Sequence, residues 1–278
     1  MKQDNVLAFP HEILPFVDAI ADEARSLACA YFRSGANVNI KVDGSPVTQA
    51  DVEIEAALRR SIAKQYPLHS ILGEESGGQI GDGWSWALDP IDGTKSFVCG
   101  VPLFGTLIAL LHERRPLLGV IDMPILGERW LGYGDRTTWN GIRVETSTCS
   151  TLADARMFST APEMFDPASA AAFEQLSEVV AMRRFGTDCY AYGLLASGYV
   201  DLVVEAGLKL YDVLALVPVI EAAGGIITDW KGERLGTAFD GRVIAAATAE
   251  LHHAALNVVN ASLNAGKNGS PGGVPGRS

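Results

Sequence analysis

Residues 86–94 read W-A-L-D-P-I-D-G-T, an apolar run that changes abruptly to two carboxylates, a proline, a glycine and a hydroxyl. The apolar part predicts a buried strand, and the polar part predicts a loop at its end. The carboxylates of Asp89 and Asp92 repel each other unless a cation lies between them. By itself the pattern also fits an ordinary turn, because Asp-Pro and Asp-Gly are common turn pairs. The choice between these interpretations depends on the other acids of the chain.

Further acids occupy similar positions elsewhere in the sequence. Glu74 and Glu75 follow a short apolar stretch at residues 70–73, and Asp51 and Asp212 stand at the beginnings of predicted helices. Each position has an ordinary explanation, namely a solvated turn for the glutamates and a favourable helix-dipole interaction for the aspartates. Taken together, however, they predict a site for a hard divalent cation such as Mg²⁺, which prefers oxygen ligands.

Composition restricts the class of protein and its partners. The chain has 278 residues, of which 48% are hydrophobic and 20% charged, as is ordinary for a globular protein. Its net charge of −11 argues against a nucleic-acid partner, but it permits a phosphorylated small molecule because bound cations reverse the local charge. The four cysteines form no C-x-x-C pair, so neither a zinc site nor a disulfide framework is predicted. Without a secretory pattern or an apolar run long enough to span a membrane, we expect a cytoplasmic protein with no membrane partner.

The order of predicted elements indicates an α/β chain with an α+β first part. A helix covers residues 11–32, a second helix begins after Thr48, and strands follow up to a hairpin turn at Asn140-Gly141. From about residue 150 strands alternate with helices, and a final helix covers about residues 250–263. The sequence therefore predicts two halves that differ in the arrangement of their elements.

We expect three segments along the chain. An N-terminal α+β half at 1–149 carries the acidic loop, a C-terminal α/β half at 150–263 completes the site, and 264–278 form a disordered tail. Within the second half, Pro218 should bend the helix predicted for residues 211–223.

Several other catalytic motifs are absent from the sequence. There is no D-x-D nucleophile pair, no P-loop G-x-x-x-x-G-K, and no C-x-x-x-x-x-R nucleophile. The motifs G-x-S-x-G and H-E-x-x-H are also missing. The acids are therefore the main candidates for chemistry.

These acids and their neighbours resemble the inositol monophosphatase family. The resemblance rests on G-E-E-S at 73–76, W-x-x-D-P-I-D-G-T at 86–94, Y-D-x-x-A at 211–215 and E-A-A-G-G at 221–225. It extends from the first helix to about residue 263. The family usually has Trp-Asp where this chain has Tyr211-Asp212, an aromatic replacement that leaves the acid in place.

The resemblance implies a layered αβαβα sandwich of the inositol monophosphatase and fructose-1,6-bisphosphatase type. It also implies a homodimeric phosphatase with two or three Mg²⁺ per site, acting on a phosphorylated small molecule. The implied metal ligands are Glu74, Asp89, the main-chain carbonyl of Ile91, Asp92 and Asp212. The main-chain N–H groups of Gly93 and Thr94 would hold the phosphate. Thr94, with Asp51 and Glu74, would orient the attacking water without a covalent phosphoenzyme, and Lys41 would face the site as a basic residue.

Family members hydrolyse inositol phosphates, sugar bisphosphates, nucleotide 3′-phosphates and histidinol phosphate, so the leaving group decides the substrate. Gly186-Thr187-Asp188 and Glu205 occupy positions at which the family contacts that group. Two carboxylates suit a cation better than a neutral polyol, because an unpaired acid in a pocket is costly. Histidinol carries an amine and an imidazole, and both can be positive.

The Tyr-Asp variant and the L-V-P run at 216–218 most resemble the histidinol-phosphate phosphatases of the family, which act in histidine biosynthesis. An inositol-1-phosphatase or a broad sugar-phosphate phosphatase is the alternative substrate assignment. A non-catalytic metal-binding regulatory protein is the alternative of another class. Asp188 could also simply cap the following helix.

Overall fold

The computed structural model describes residues 10–35, 38–40, 46–236 and 239–268. Its helices are α1 (Leu14–Tyr31), α2 (Gln49–Gln65), α3 (Thr94–Val98), α4 (Pro167–Ser177), α5 (Tyr190–Ala196), α6 (Leu210–Val213), α7 (Leu216–Glu221) and α8 (Ala249–Asn268). Its strands are β1 (Val38–Ile40), β2 (Pro46–Thr48), β3 (Ser70–Gly73), β4 (Gly77–Gly78), β5 (Trp84–Asp92), β6 (Gly105–His112), β7 (Arg115–Met123), β8 (Glu128–Tyr133), β9 (Arg136–Trp139), β10 (Ile142–Val144), β11 (Arg156–Ser159), β12 (Met182–Phe185), β13 (Leu202–Glu205), β14 (Ile226–Thr228) and β15 (Val243–Ala246). No described helix is both long enough and apolar enough to cross a membrane.

The larger sheet brings the acids of the first half to one edge. Its strands lie in the order β10-β9-β8-β7-β6-β5-β3-β4. Because β3 and β5 are parallel neighbours, Glu74 after β3 lies near Asp89 on β5. The β5–β6 register shifts between Asp89 and Asp92, across Pro90, since proline has no N–H for the ladder. β5 thus continues to Asp92, past the predicted strand end at Leu88.

The elements form five layers, as the resemblance implied. Helices α1 and α2 pack on one face of the larger sheet through an apolar cluster that includes Ile20, Leu58 and Trp86. Helices α5 and α7 fill the space between this sheet and the smaller one, whose order is β12-β11-β13-β15-β14. Helices α4 and α8 cover the outer face of the smaller sheet. The order of layers is therefore α-β-α-β-α.

Two details differ from the expectations. The helix predicted for residues 211–223 is divided into α6 and α7, with the break at Leu214 and Ala215. The break lies one turn before Pro218 because a proline ring collides with the carbonyl four residues earlier. Helix α8 continues to Asn268, so residues 264–268 are helical rather than part of a tail. Residues 269–278 lie outside the described part of the chain, and the division into two halves stays a prediction.

Candidate active site

An acidic cavity of about 220 Å³ lies where β3 and β5 end and α6 begins. Most of the predicted site residues line it, namely Glu74, Asp89, Ile91, Asp92, Gly93, Thr94, Asp188, Glu205 and Asp212. Asp51, Gly186 and Thr187 are not among the described residues that line this cavity. Lys41 lies outside the described residues. The fold therefore brings together acids from five separate segments of the sequence.

Three carboxylates form the centre of the cavity. Oxygen atoms of Asp89, Asp92 and Asp212 all lie within 4.8 Å of one another. Burial, reinforced by the charge of Asp212, raises the pKa of Asp92 to about 7. Burial likewise raises the pKa of Asp212 to about 7, and burial with the charges of Glu74 and Asp92 raises that of Asp89 well above its usual range. Buried oxygen ligands this close together, with negative charges that repel, fit a hard divalent cation.

Backbone groups hold each of these carboxylates in position. Asp89 accepts a hydrogen bond from the N–H of Ile91 at 3.1 Å, and Asp212 accepts one from the N–H of Lys209 at 2.7 Å. Asp212 is also the third residue of α6, the position predicted from sequence to favour the helix. The helix-start role and the site role are thus compatible for this residue.

Gly93 and Thr94 form the turn between β5 and α3. Gly93 adopts φ +86°, which favours glycine, and a Cβ there would lie 3.2 Å from the Asp188 carboxylate. Thr94 Oγ1 donates to the carbonyl of Ile91 at 3.0 Å. The N–H groups at the beginning of a helix have no partner inside that helix, which suits the α3 turn to an anion.

Asp51 combines the two roles weighed for it from sequence. It is fully buried at the start of α2, where its Oδ2 accepts from the N–H of Thr48 at 2.8 Å and from Thr48 Oγ1 at 2.5 Å. Its Oδ1 is buried and has no hydrogen-bond partner among the described residues. Burial, and to a smaller extent the charge of Glu74, raises the pKa of Asp51. The capping interaction at the start of α2 therefore uses one carboxylate oxygen of Asp51 and leaves the other free to accept a hydrogen bond.

Glu55 supports the site, although we did not predict it from the sequence. This fully buried carboxylate accepts from the N–H groups of Glu75 at 2.7 Å and Ser76 at 3.0 Å, and from Arg59 Nε at 2.7 Å. A Cβ on Gly73 would come within 2.5 Å of it. Glu55 thus holds the turn that carries Glu74. The signal available in the sequence was an acid on the apolar face of a predicted helix.

Asp188 and Glu205 lie in the same cavity as the central acids. Asp188 adopts φ +45°, and its carboxylate lies 3.4 Å from Ser96 Oγ instead of capping α5. Burial, with the charge of Asp92, raises its pKa to about 7. Glu205 is 2% exposed and accepts from Thr160 Oγ1 at 2.8 Å, and burial raises its pKa well above its usual range. Within the described part of the chain, neither carboxylate is in an ion pair.

Other cavity residues were also missed from sequence. They are Thr160, Met164, Cys189, Tyr192, Gly207, Leu208, Lys209, Tyr211 and Leu216. Cys189 and Tyr192 read as ordinary apolar-face residues of a helix, so nothing in the pattern marked them. The main-chain N–H of Cys189 donates to Asp92 Oδ2 at 2.6 Å, which connects the two halves of the site.

The fold and the acidic site together define a phosphatase of the metal-dependent sandwich class. The chain matches the inositol monophosphatase family over residues 10–263, and it belongs to that family. Members of this family are generally metal-dependent, which agrees with the cluster of acids. The predicted family and fold are thereby confirmed, and a phosphorylated small molecule is the consistent type of substrate.

Individual relatives carry different names. The chain is 46% identical over 252 residues to the bifunctional phosphatase IMPL2, chloroplastic, of Arabidopsis thaliana, covering 86% of this chain and 72% of that protein. It is 36% identical over 219 residues to a histidinol-phosphatase of Chlorobaculum parvum, covering 77% of this chain and 85% of that protein. A solved inositol monophosphatase from Zymomonas mobilis aligns with a TM-score of 0.82 at 40% identity, covering 90% of this chain and 98% of that chain. These three relatives are all named as phosphatases, and two of the names give a substrate, histidinol phosphate in one and inositol monophosphate in the other.

Proposed function

We propose that this protein is a Mg²⁺-dependent phosphomonoesterase that converts L-histidinol phosphate and water to L-histidinol and phosphate. The observation that carries this proposal is the placement of Asp188 and Glu205. Both carboxylates line the cavity that contains the candidate metal ligands. Neither is in an ion pair among the described residues. A carboxylate that is buried, like Glu205, or half-buried, like Asp188, is costly when it is not paired, and Lys95 offsets the charge of Asp188 without forming an ion pair with it, so a cationic leaving group suits this cavity.

The donor set favours Mg²⁺ as the ion. Glu74, Asp89, the carbonyl of Ile91, Asp92 and Asp212 would hold it, with two or three ions per site, and all five offer oxygen. When bound, Mg²⁺ supplies a lowered pKa for water and neutralises charge on the phosphate ester. The raised pKa values of Asp89, Asp92 and Asp212 fit this assignment, because a divalent cation replaces the protons that these crowded carboxylates otherwise retain.

The remaining residues of the site position the reactants. The N–H groups of Gly93 and Thr94 bind the phosphate. Since Thr94 Oγ1 gives its proton to the carbonyl of Ile91, its lone pairs accept from the attacking water. Asp51 does not line the cavity, but its Oδ1 has no partner among the described residues and would be a further acceptor for a proton of that water, and Glu74 lies at the same edge of the sheet. These groups orient a direct in-line attack, and no side chain has to become phosphorylated.

Asp188 and Glu205 then bind the leaving group. Histidinol presents an ammonium and an imidazole, and a positive group between the two carboxylates would lower their raised pKa values. Gly186 and Thr187 contribute through the turn that precedes Asp188, where Gly186 has φ +83°. Lys41, outside the described residues, stays a predicted basic residue of the site. The names of the Chlorobaculum and Arabidopsis relatives support phosphatase action and, for the former, this substrate.

The second candidate is an inositol-1-phosphatase or a broad sugar-phosphate phosphatase, which the similarity to the Zymomonas structure favours. The non-catalytic alternative is weaker, because Asp51, Glu74, Asp89, Asp92, Thr94 and Asp212 are all present. Phosphate release from histidinol phosphate and inositol-1-phosphate, each with Mg²⁺ or EDTA, tests the three. We expect Mg²⁺-dependent release and at least a tenfold higher kcat/KM for histidinol phosphate. A tenfold preference for the inositol ester would overturn the substrate assignment, and no release from either would favour the regulatory protein.

The cellular context is part of the same proposal. We expect the enzyme to act in histidine biosynthesis. We also expect it to be cytoplasmic and to form a homodimer. The Arabidopsis relative is described as chloroplastic, a different compartment from the one proposed here for this chain. Sedimentation of the purified chain at several concentrations would test the dimer.

A further inference from the structure

Tyr192 on α5 has a buried hydroxyl that forms no hydrogen bond with the described residues. The side chain is 1% exposed and packs in the apolar layer between the two sheets. Its hydroxyl oxygen has no hydrogen-bond partner among the described residues. Burying an unpaired hydroxyl is unfavourable, and a phenylalanine ring would fill the same space without that cost. A hydrogen-bond partner for this hydroxyl is therefore missing from the described part of the chain.

The cavity is where such a partner can be. Tyr192 lines it together with Glu205, Asp92 and Asp212. Burial first, and then the charges of Glu205, Asp92 and Asp212 in that order, raise the pKa of Tyr192 well above its usual value, which places these carboxylates close to the hydroxyl. The hydroxyl thus lies in the part of the cavity wall that contains one candidate leaving-group ligand, Glu205, and two candidate metal ligands, Asp92 and Asp212. A leaving group bound between Asp188 and Glu205 would lie beside this wall.

An alkylammonium group has three N–H donors and no acceptor. Asp188 and Glu205 provide acceptors for two of them, and both carboxylates are in the same cavity as Tyr192. A tyrosine hydroxyl accepts as well as donates, so Tyr192 Oη matches the third donor. A neutral aryl or alkyl leaving group offers nothing to this oxygen.

We propose that Tyr192 is a specificity-determining residue whose hydroxyl accepts a hydrogen bond from an ammonium on the leaving group, beside Asp188 and Glu205. This proposal rests on the proposed function and extends it to a substrate class. That class is the phosphate monoesters of amino alcohols, with the amine close to the ester oxygen. The contact acts on binding and takes no part in breaking the P–O bond.

The test uses the whole chain with Mg²⁺ and compares Tyr192→Phe with Tyr190→Phe. Tyr190 is a matched control, because it lies on the same helix, is only half-buried, packs against Trp130 and does not line the cavity among the described residues. The substrates are histidinol phosphate, O-phosphoethanolamine, inositol-1-phosphate and p-nitrophenyl phosphate. Thermal unfolding of each variant without substrate is the accompanying measurement.

We expect Tyr192→Phe to lower kcat/KM at least fivefold for the two amines, mainly through KM, and to leave p-nitrophenyl phosphate within twofold. Its melting temperature should equal or exceed that of the unsubstituted protein, because no internal hydrogen bond is lost. Tyr190→Phe should leave the substrate ratios unchanged. An equal change for all substrates, no change for any, or a fall of several degrees in melting temperature for Tyr192→Phe would overturn the inference.

The substrate preference of the unsubstituted enzyme distinguishes a wrong role for Tyr192 from a wrong proposed function. If this enzyme prefers the amines and Tyr192→Phe keeps the same preference, only the role of Tyr192 is wrong. If it hydrolyses inositol-1-phosphate but neither amine, or no ester at all, both proposals are wrong.

Discussion

The carboxylate of Asp92 accepts a hydrogen bond from the main-chain N–H of Cys189 at 2.6 Å. Asp92 is the last residue of β5, and Cys189 follows Asp188 immediately before α5. One hydrogen bond therefore connects a candidate metal ligand with the residue that follows a candidate leaving-group acid, Asp188. The carboxylates of Asp92 and Asp188 also repel each other. The charge of Asp92 therefore adds to the effect of burial, which raises the pKa of Asp188. Metal binding and substrate binding are expected to influence each other through this pair.

Asp92→Asn should abolish Mg²⁺-dependent phosphate release while the protein stays folded. The asparagine oxygen can still accept from the N–H of Cys189, and one of three crowded negative charges is removed. The melting temperature in EDTA should thus be unchanged or higher. Steady-state kinetics and thermal unfolding of the same preparation check both parts, and near-normal turnover would refute the metal assignment.

Stability without metal should fall as the pH rises. The pKa values of Asp92, Asp212 and Asp188 are each raised to about 7, first by burial, above their usual values. The folded state therefore holds these protons more tightly than the unfolded chain does. The resulting stabilisation is fully present below about pH 4 and is lost as the pH rises through about 7.

The measurement is the melting temperature in EDTA between pH 5 and pH 8, where we expect a decrease. Saturating Mg²⁺ should cancel or reverse the decrease, since the cation takes the place of the protons and binds only the folded site. A melting temperature that does not depend on pH in EDTA, or an identical slope with Mg²⁺, would count against a metal site built from these acids.

Glu55→Ala should destabilise the fold and weaken Mg²⁺ binding together. The substitution removes the acceptor for two N–H groups of the turn that carries Glu74, and it leaves Arg59 without its buried partner. Breaking such a pair costs about 3 kcal/mol. Urea unfolding and calorimetric Mg²⁺ titration give the two readouts.

The matched control for Glu55→Ala is Glu53→Ala. Glu53 lies on the same helix, and its side chain is hydrogen-bonded to Tyr31 and, in an exposed pair, to Gln49, so its loss should destabilise the fold far less than the loss of Glu55 and leave Mg²⁺ affinity unchanged. If Glu55→Ala unfolds too readily for titration, Glu55→Gln retains one acceptor oxygen and should show a smaller loss in both quantities. Normal Mg²⁺ affinity in a folded Glu55 variant would contradict its positioning role.

Asp188→Asn should reduce selectivity more than catalysis. Asparagine tolerates the left-handed backbone found at φ +45°, so the change removes charge without new strain. We expect kcat/KM for histidinol phosphate to fall at least about tenfold, or about 1.4 kcal/mol. The kcat/KM for inositol-1-phosphate should fall less, because this ester has no positive group that interacts with the charge of Asp188. Parallel kinetics on both esters decide this, and an equal loss on the two would mean that Asp188 does not recognise charge.

The parts of the site that follow from local sequence were predictable. An apolar strand that ends in acids can be read from residues 86–94 alone, and Asp212 was recognisable as a helix-start acid. Helix α2 begins directly after Thr48, as predicted, and Thr48 and Asp51 form a capping box there. These features depend on neighbours within one turn or one strand, which is the range over which sequence patterns act.

Features that depend on packing between distant segments were not predictable. Glu55 acts on a turn that reaches it only because α2 packs beside β3 and β5, and the hydroxyl of Tyr192 matters only because the cavity forms beside it. The helical stretch at 264–268 has a composition that resembles a tail, yet it continues α8. Local composition thus located the chemistry but not the side chains that support it.

The most direct measurement is the ratio of kcat/KM for L-histidinol phosphate to that for inositol-1-phosphate, determined with the unsubstituted protein in saturating Mg²⁺. The account predicts a ratio of ten or more, with no release of phosphate from either ester in EDTA. A ratio of one tenth or less, or release that persists in EDTA, would contradict it.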